Sequence, residues 1–341
     1  MPGIITSIGS NNNHAIYGDI QGPMVAMLEL EYGRYANDER FNLWKKVFPE
    51  FKLETQNASI VGLGGGGLFE DVGENGEYPV GNAIEEGFKK TLEAEEWKYA
   101  ISISQTMMED KLDFLLKDQP KKLNDSYFRT RNAFFWGLLA AALSNTDYVT
   151  PMKKRISIKT SDGVNVFSNS HKYAHKSGSY SNACSDALSV TSIGTVAEKM
   201  QNRLDDNGEI IGMAPDLLII PNTDKAKSDV FGILGAYHDP GTAAGNKFNY
   251  QFDNWTVLCS PWLAHLQSVS GTTVSYPWIM MDSAYNEMNY GARAIERIPL
   301  TVTSEIMSND ANLWKGRSRF SGAFIDPRAF FAGGVSFGSA L

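Results

Sequence analysis

The chain has 341 residues, 43% hydrophobic and 21% charged, which is enough sequence for one large domain or two ordinary ones with a full core. Its 31 basic and 39 acidic residues give a net charge of −8, which argues against a dedicated nucleic-acid binder but not against a wall that encloses nucleic acid without gripping it. Cys184 and Cys259 are the only cysteines and form no CxxC pair, so two unpaired thiols are expected and a disulfide framework is excluded.

Residues 1–23 are polar and hold no amphipathic period, and they read as an extended or disordered arm. They lack the basic start and apolar run of a signal peptide. The most apolar stretch of the chain, AFFWGLLAAAL at 133–143, is too short to span a bilayer, so a soluble protein is expected. From Met24 to Phe51 the spacing is helical, interrupted by Gly33, with Trp44, Val47 and Phe48 forming an apolar face that ends at Pro49.

Four consecutive glycines follow, Gly64, Gly65, Gly66 and Gly67. A phosphate loop would need Gly-Lys-Ser/Thr opening a helix, whereas Leu68 and Phe69 come next, so the glycines read as a hinge. The segment beyond them has too little apolar content for a core of its own. It is expected to project as a two-stranded ribbon, which needs a neighbour to lie on. The alternation of Trp97, Tyr99, Ile101 and Ile103 against Lys98, Ser102 and Ser104 reads as the returning strand of that ribbon.

Thr106 to Glu109 fits a capping box, and Asp118 is a good N-cap for a second helix from about Gln119 to Ser144. The end of that helix, Phe134 to Leu143, is apolar nearly all round and belongs in the main core. Short strands are expected over 151–182, broken by Asp162-Gly163 and by Ser/Asn clusters. A helix with Ile193, Val196, Met200 and Leu204 in register is expected to stop at Asn207-Gly208. Then come a buried strand at APDLLIIPN, a helix at DKAKSDVFGILG, a loop from Gly235 to Asn249, strands at NWTVLCSPWL and VSYPWIMMDS, and closing strands with a final Asp-Pro turn. The order is that of an α+β fold.

No reaction assembles from these residues. His171 and His175 stand four apart and could share zinc on a helix, but their surroundings are rich in Ser, Gly and Asn, and two surface loop histidines are the plainer reading. His14, His238 and His265 are scattered, and no G-x-S-x-G anchors a Ser/His/Asp triad. Asp205-Asp206-Asn207-Gly208-Glu209 lacks the alternating ligands of a calcium loop and reads as a helix-terminating turn. Lys89 and Lys90, with Glu93, Glu95 and Glu96, read as a solvated or partner-facing charged edge. Neither an enzyme nor a cofactor or metal is expected.

The ribbon and the arm each need a neighbour, and closed symmetry in a self-assembling shell would supply one. Phe69, Tyr78, Phe88 and Trp97 are the candidate inter-subunit anchors, with packing at the ribbon base the other reading for Trp97. Four stretches carry a family resemblance: ISISQTMMEDKLDFLLK; DGVNVFSNSHKYAH, with Asp162, Gly163, Phe167 and His171; MQNRLDDNGEIIGMAPDLLIIPNTDKAKSDVF; and GNKFNYQFDNWTVLCSPWL followed by SYPWIMMDS. In that order they resemble the tailed-phage major capsid proteins of the Hong Kong 97-type fold, most of all the Mu-like major head subunit.

The resemblance implies an N-terminal arm at 1–60 and an extended β-hairpin loop at 61–104. It implies a peripheral domain with a spine helix at 105–189 and 296–341, and an axial domain at 190–295. The implied function is structural: hexamers and pentamers of this chain in an icosahedral shell around double-stranded DNA, assembled in the host cytoplasm, with no membrane. Because the arm begins almost at Met1, a separate scaffolding protein or an already processed chain is expected, together with a portal protein. Some relatives cross-link through a lysine of the extended loop; that chemistry is not carried over to Lys89 or Lys90. An encapsulin-like nanocompartment shell enclosing cargo enzymes is the alternative within the same fold, and a metal enzyme on His171 and His175 the alternative outside it.

Overall fold

The computed structural model describes residues 5–7, 21–63, 71, 86–104, 106, 113–238, 248–266, 276–309 and 311–335. In chain order its first elements are β1 (Ile5–Ser7), α1 (Gln21–Asn37), α2 (Glu39–Asn42), β2 (Glu50–Lys52), β3 (Asn57–Leu63), β4 (Glu86–Glu93), β5 (Glu95–Ile103) and α3 (Asp113–Leu143). Next come β6 (Tyr148–Val149), β7 (Arg155–Ile156), β8 (His171–Lys172), β9 (Ser179–Tyr180), α4 (Val190–Gln201), β10 (Leu217–Pro221), α5 (Asp224–Leu234), β11 (Thr256–Ser260) and α6 (Pro261–Leu266). The chain closes with β12 (Trp278–Met281), α7 (Ser283–Met288), β13 (Ala292–Ile306), β14 (Asn312–Phe324) and β15 (Phe330–Gly333). Two units emerge: Met1–Ala58 with Leu92–Phe135 and Ala294–Gly322, and Ser59–Thr91 with Trp136–Arg293 and Ala323–Leu341.

In the first unit, α1 begins at Gln21, inside the segment expected to be an extended arm, and it runs through Gly33 without a break. Asp38 caps α2 by accepting from the Arg40 amide at 3.0 Å. Asn42 Nδ2 reaches the carbonyls of Tyr35, Ala36 and Asp38, which ties the end of α1 to the next turn. Trp44, Val47 and Phe48 are buried as their spacing implies, with the Trp44 ring stacked on Phe135 at 4.0 Å.

The capping box at Thr106 to Glu109 lies outside the described residues apart from Thr106. Asp118 is not an N-cap: α3 is one helix of 31 residues that continues through Pro120. Proline costs about 3 kcal/mol inside a helix and forfeits one backbone bond. Stopping there would forfeit the hydrogen bonds of the whole preceding stretch, so continuation wins.

The five-stranded sheet runs β1-β13-β14-β5, with β2 also on β13. β1 and β2 pair parallel with β13, Ile5 opposite Thr301 and Glu50 opposite Ala294. β5 pairs antiparallel with β14 from Ile103–Asn312 to Glu95–Phe320. The stretch Trp97–Ile103 is therefore an edge strand of this sheet and not the returning ribbon strand. That role belongs to β4, which pairs with β3 in a separate two-stranded sheet. The reason is burial: a row of Trp97, Ile101 and Ile103 needs a covered face, which a thin ribbon cannot provide. Here Trp97 stacks on Phe320 at 5.0 Å and meets Phe134 edge-on at 5.5 Å.

Arg131 of α3 is buried under the same sheet, lying over Trp44 at 4.8 Å and facing Glu50 at 3.3 Å and Glu296 at 3.7 Å. The pairing on both sides is what makes a buried guanidinium tolerable there.

The second unit is built on a four-stranded sheet in the order β11-β10-β12-β15. β10 and β11 are parallel, and the other neighbours antiparallel. Every residue of β10 and of β12 is buried, the pattern of strands covered on both faces. Ile193, Val196 and Met200 of α4 and Val230 and Ile233 of α5 share one core with Leu218, Ile220, Trp278, Met280 and Phe331. Ser189 and Ser192 cap α4 reciprocally, and Thr223 caps α5. α4 ends at Gln201, six residues before the expected Asn207-Gly208 stop, and Leu204 leaves the helix to bridge Ile210. The terminal Asp326-Pro327 pair opens a 3-10 turn, Asp326 accepting from the Arg328 amide at 2.9 Å.

Candidate functional site

Of the residues singled out by sequence, Gly64 to Gly67, Phe69 and Tyr78 lie outside the described residues. The base of the ribbon is described: Ser59 faces Thr91, Oγ to Oγ1 3.4 Å, and a Cβ at Gly87 would come within 2.8 Å of the Gly62 carbonyl oxygen. Phe88 is half-buried on β4. The indole of Trp97 is engaged within its own subunit, donating from Nε1 to the Phe320 carbonyl at 3.1 Å, so the structure does not bring it together with Phe88.

Lys90 departs from a solvated edge. Its Nζ donates to the Lys159 carbonyl at 2.6 Å, and burial pulls its pKa below the usual lysine value. Lys89 is exposed, as expected of such an edge.

His171 is fully buried and His175 exposed, so neither the shared zinc site nor the pair of surface histidines describes them. The Nδ1 of His171 lies 2.7 Å from Asp162 Oδ2 and its Nε2 lies 3.1 Å from Asn182 Oδ1. Asn182 is oriented by donating to the Val166 and Pro327 carbonyls at 2.7 and 3.1 Å, which turns its oxygen toward the imidazole. Both ring nitrogens are thus occupied. Among the described residues no group of three or more His, Cys, Asp or Glu is placed to hold a metal. Burial pushes the Asp162 carboxyl up, but hydrogen bonds with His171 and Thr160 outweigh it and leave its pKa below the ordinary 3.8. The residues Asp162, Gly163, Phe167 and His171 form one turn: Gly163 takes a φ of +79°, Phe167 is fully buried, and the aspartate clasps the histidine.

The acidic run is also a structural turn. Asp205 Oδ1 accepts from the amides of Asn207, Gly208 and Glu209 at 2.9, 2.7 and 2.9 Å, which spends it on the backbone and leaves no calcium loop. Asp206 accepts from the Ala174 amide at 2.9 Å and from the Arg328 guanidinium. Both aspartates line a cleft of about 420 Å³, with Ile60 and Phe88 of the ribbon base. Arg328 also faces Asp326 at 3.5 Å, and Tyr285 donates its hydroxyl to Asp326 at 2.9 Å. Tyr180 lies between Arg203 at 4.8 Å and Arg328 at 5.9 Å.

Sequence reading missed this knot because its members are far apart in the chain, and only the Asp326-Pro327 turn was legible. It holds no nucleophile beside a base, and its charges are paired with one another. Its chemistry is that of a rigid brace.

Cys184 and Cys259 are free, and burial raises both thiols above the usual value. The exposed apolar residues include a cluster where Tyr237 meets Phe248 at 5.2 Å and Phe252 at 5.8 Å. No helix among the described residues is long and apolar enough to cross a membrane.

The most distinctive outer surface is on the five-stranded sheet of the first unit. Lys98, Lys315 and Arg317 line a groove of about 350 Å³ floored in part by Ala100 and Thr303. Glu96 serves two of the cations, Lys98 at 3.0 Å and Arg317 at 2.6 Å, and Lys315 pairs with Glu305. The hydrogen bonds from Lys98 and Arg317 hold the Glu96 carboxyl below the ordinary value. On an acidic chain, this is a basic surface.

Comparison with solved structures finds low-identity likenesses. The chain is 9% identical to Mycobacterium phage Patience over all of this chain and 94% of the other, with a TM-score of 0.49. It is 12% identical to the capsid of Ralstonia phage GP4 over 81% of both, with a TM-score of 0.47. It is 9% identical to the virus-like particle from Pyrococcus furiosus over 91% and 97%, with a TM-score of 0.45. No curated protein matches the sequence. The family model described as phage capsid protein matches residues 89–333, from the middle of β4 to the end of β15, and so takes in α3, both larger sheets and the Asp162–His171 turn. By that match the chain belongs to the phage capsid protein family.

Proposed function

We propose that this capsid protein is the major head subunit of a tailed phage, most like the Mu-like head subunits, and that its copies form the pentamers and hexamers of an icosahedral shell around double-stranded DNA. The observation that carries the reading is the match over residues 89–333 to capsid proteins in a chain whose two-stranded ribbon has no sheet of its own to lie on. Residues 1–60 serve as the arm, 61–104 as the extended loop, 105–189 with 296–341 as the peripheral domain and 190–295 as the axial domain. Gly64 to Gly67 hinge the loop, and Phe69, Tyr78 and Phe88 anchor it on neighbours. The net charge of −8 suits a wall that confines DNA without a sequence-specific grip. A separate scaffolding protein and a portal complete the assembly, which takes place in the host cytoplasm.

Weak contacts repeated around a closed shell give collective stability while each stays reversible enough to correct errors. Electron microscopy of the expressed chain tests the reading. Closed shells or rings of five and six subunits are expected. A protein that stays monomeric at every concentration tried would contradict it, and particles carrying a co-purifying enzyme in place of DNA would move it to the nanocompartment reading.

A further inference from the structure

The basic groove on the five-stranded sheet has a complement in the same sequence. Between Gly64 and Glu86 the chain carries Glu70, Asp71, Glu74, Glu77, Glu85 and Glu86 and not one lysine or arginine. Lys98, Lys315 and Arg317 line the groove, and Arg319 follows on the same face by strand alternation. The opposing carboxylates are Glu96 and Glu305, and Arg319 has no carboxylate partner among the described residues. Four cations against two anions leave a positive surplus on a chain whose total is −8. The groove also runs beside β5, the end strand of its sheet, whose outer backbone edge has no strand partner among the described residues. An edge of this kind accepts an extended segment from another chain.

We propose that the groove formed by Lys98, Lys315 and Arg317 receives the acidic stretch 64–86 of a second copy, a charge-matched contact between subunits of the shell. The inference rests on the capsid reading and adds the surface on which the limb lands. DNA is the competing occupant, but Glu96 and Glu305 interrupt the cations, which suits a polypeptide of alternating character better than a continuous line of phosphates. A contact of this kind steers encounter and fixes register, and salt weakens it.

The test is zero-length carbodiimide coupling of shells reassembled from unlabelled and ¹⁵N-labelled subunits, read by mass spectrometry. Peptides of mixed isotope that join Lys98 or Lys315 to a carboxylate of residues 70–86 are expected. A charge reversal, Lys315→Glu with Arg317→Glu, should lower shell yield by about tenfold or more. Adding Glu74→Lys with Glu77→Lys should recover it, which a folding defect in the first pair would not allow. Shells that form without such links, or with links only within one chain, would overturn the inference while leaving the capsid reading intact. Reversal variants that build normal shells but package less DNA would assign the groove to DNA instead. Failure of the unaltered chain to form shells would remove the inference together with the reading beneath it.

Discussion

Asp162 shows how a single side chain here joins a motif to a fold. It accepts from Thr160 at 2.5 Å and from the Val164 amide at 3.1 Å while clasping buried His171. Because its folded pKa lies below the ordinary 3.8, its contribution to stability is complete above that value and is lost as pH falls through the depressed one. Denaturant midpoints measured from about pH 6 down to about pH 2.5 should therefore fall more steeply for the natural chain than for Asp162→Asn. Parallel curves would show that the carboxylate is not coupled to folding. Gly33 offers a second test, since it sits inside α1 with nothing within 4 Å of where a Cβ would be. Gly33→Ala should stabilise the protein by about 1 kcal/mol in chemical denaturation, because alanine is the better helix former and restricts the unfolded chain. What the sequence could not convey at this scale is where a polar side chain goes. His171 sits among Ser and Asn, yet Asn182, a distant partner, buries it.

At the scale of elements, periodicity is a good guide to type and a poor one to partnership. The alternation in Glu95–Ile103 makes a strand, but nothing in it says that β14, more than two hundred residues away, is the neighbour. α4 and α5 were legible because capping serine and threonine precede clean apolar stripes. α3 was misread at Pro120 because the local cost of proline is visible in sequence and the gain from continuing the helix is not. The placement of β5 makes a sharp prediction. Trp97→Ala should cost about 3 kcal/mol in the stability of the dissociated subunit, by removing a ring stacked in its own core. Phe88→Ala should cost less than about 1 kcal/mol there and act on assembly. Thermal unfolding of the two variants beside their particle yields separates the roles, and equal destabilisation by both would place Phe88 in the core as well.

At the scale of the whole molecule, the two larger sheets and α3 fall within the family match, while the ribbon strand β3 and the helices α1 and α2 lie before it. This division follows the physics: segments with buried faces build the common body, and segments poor in apolar side chains depend on what lies beside them. The capsid family was legible because several weak motifs occurred in one order, whereas the cleft around Arg328 and the basic groove on the sheet were not, since each gathers residues from remote parts of the chain. The most direct test is sedimentation velocity of the full chain beside a version in which residues 64–85 are replaced by a short Gly-Ser turn. The full chain should sediment as shells or capsomers and the shortened chain as a folded monomer with unchanged circular dichroism. A shortened chain that assembles as readily as the full one would contradict the account.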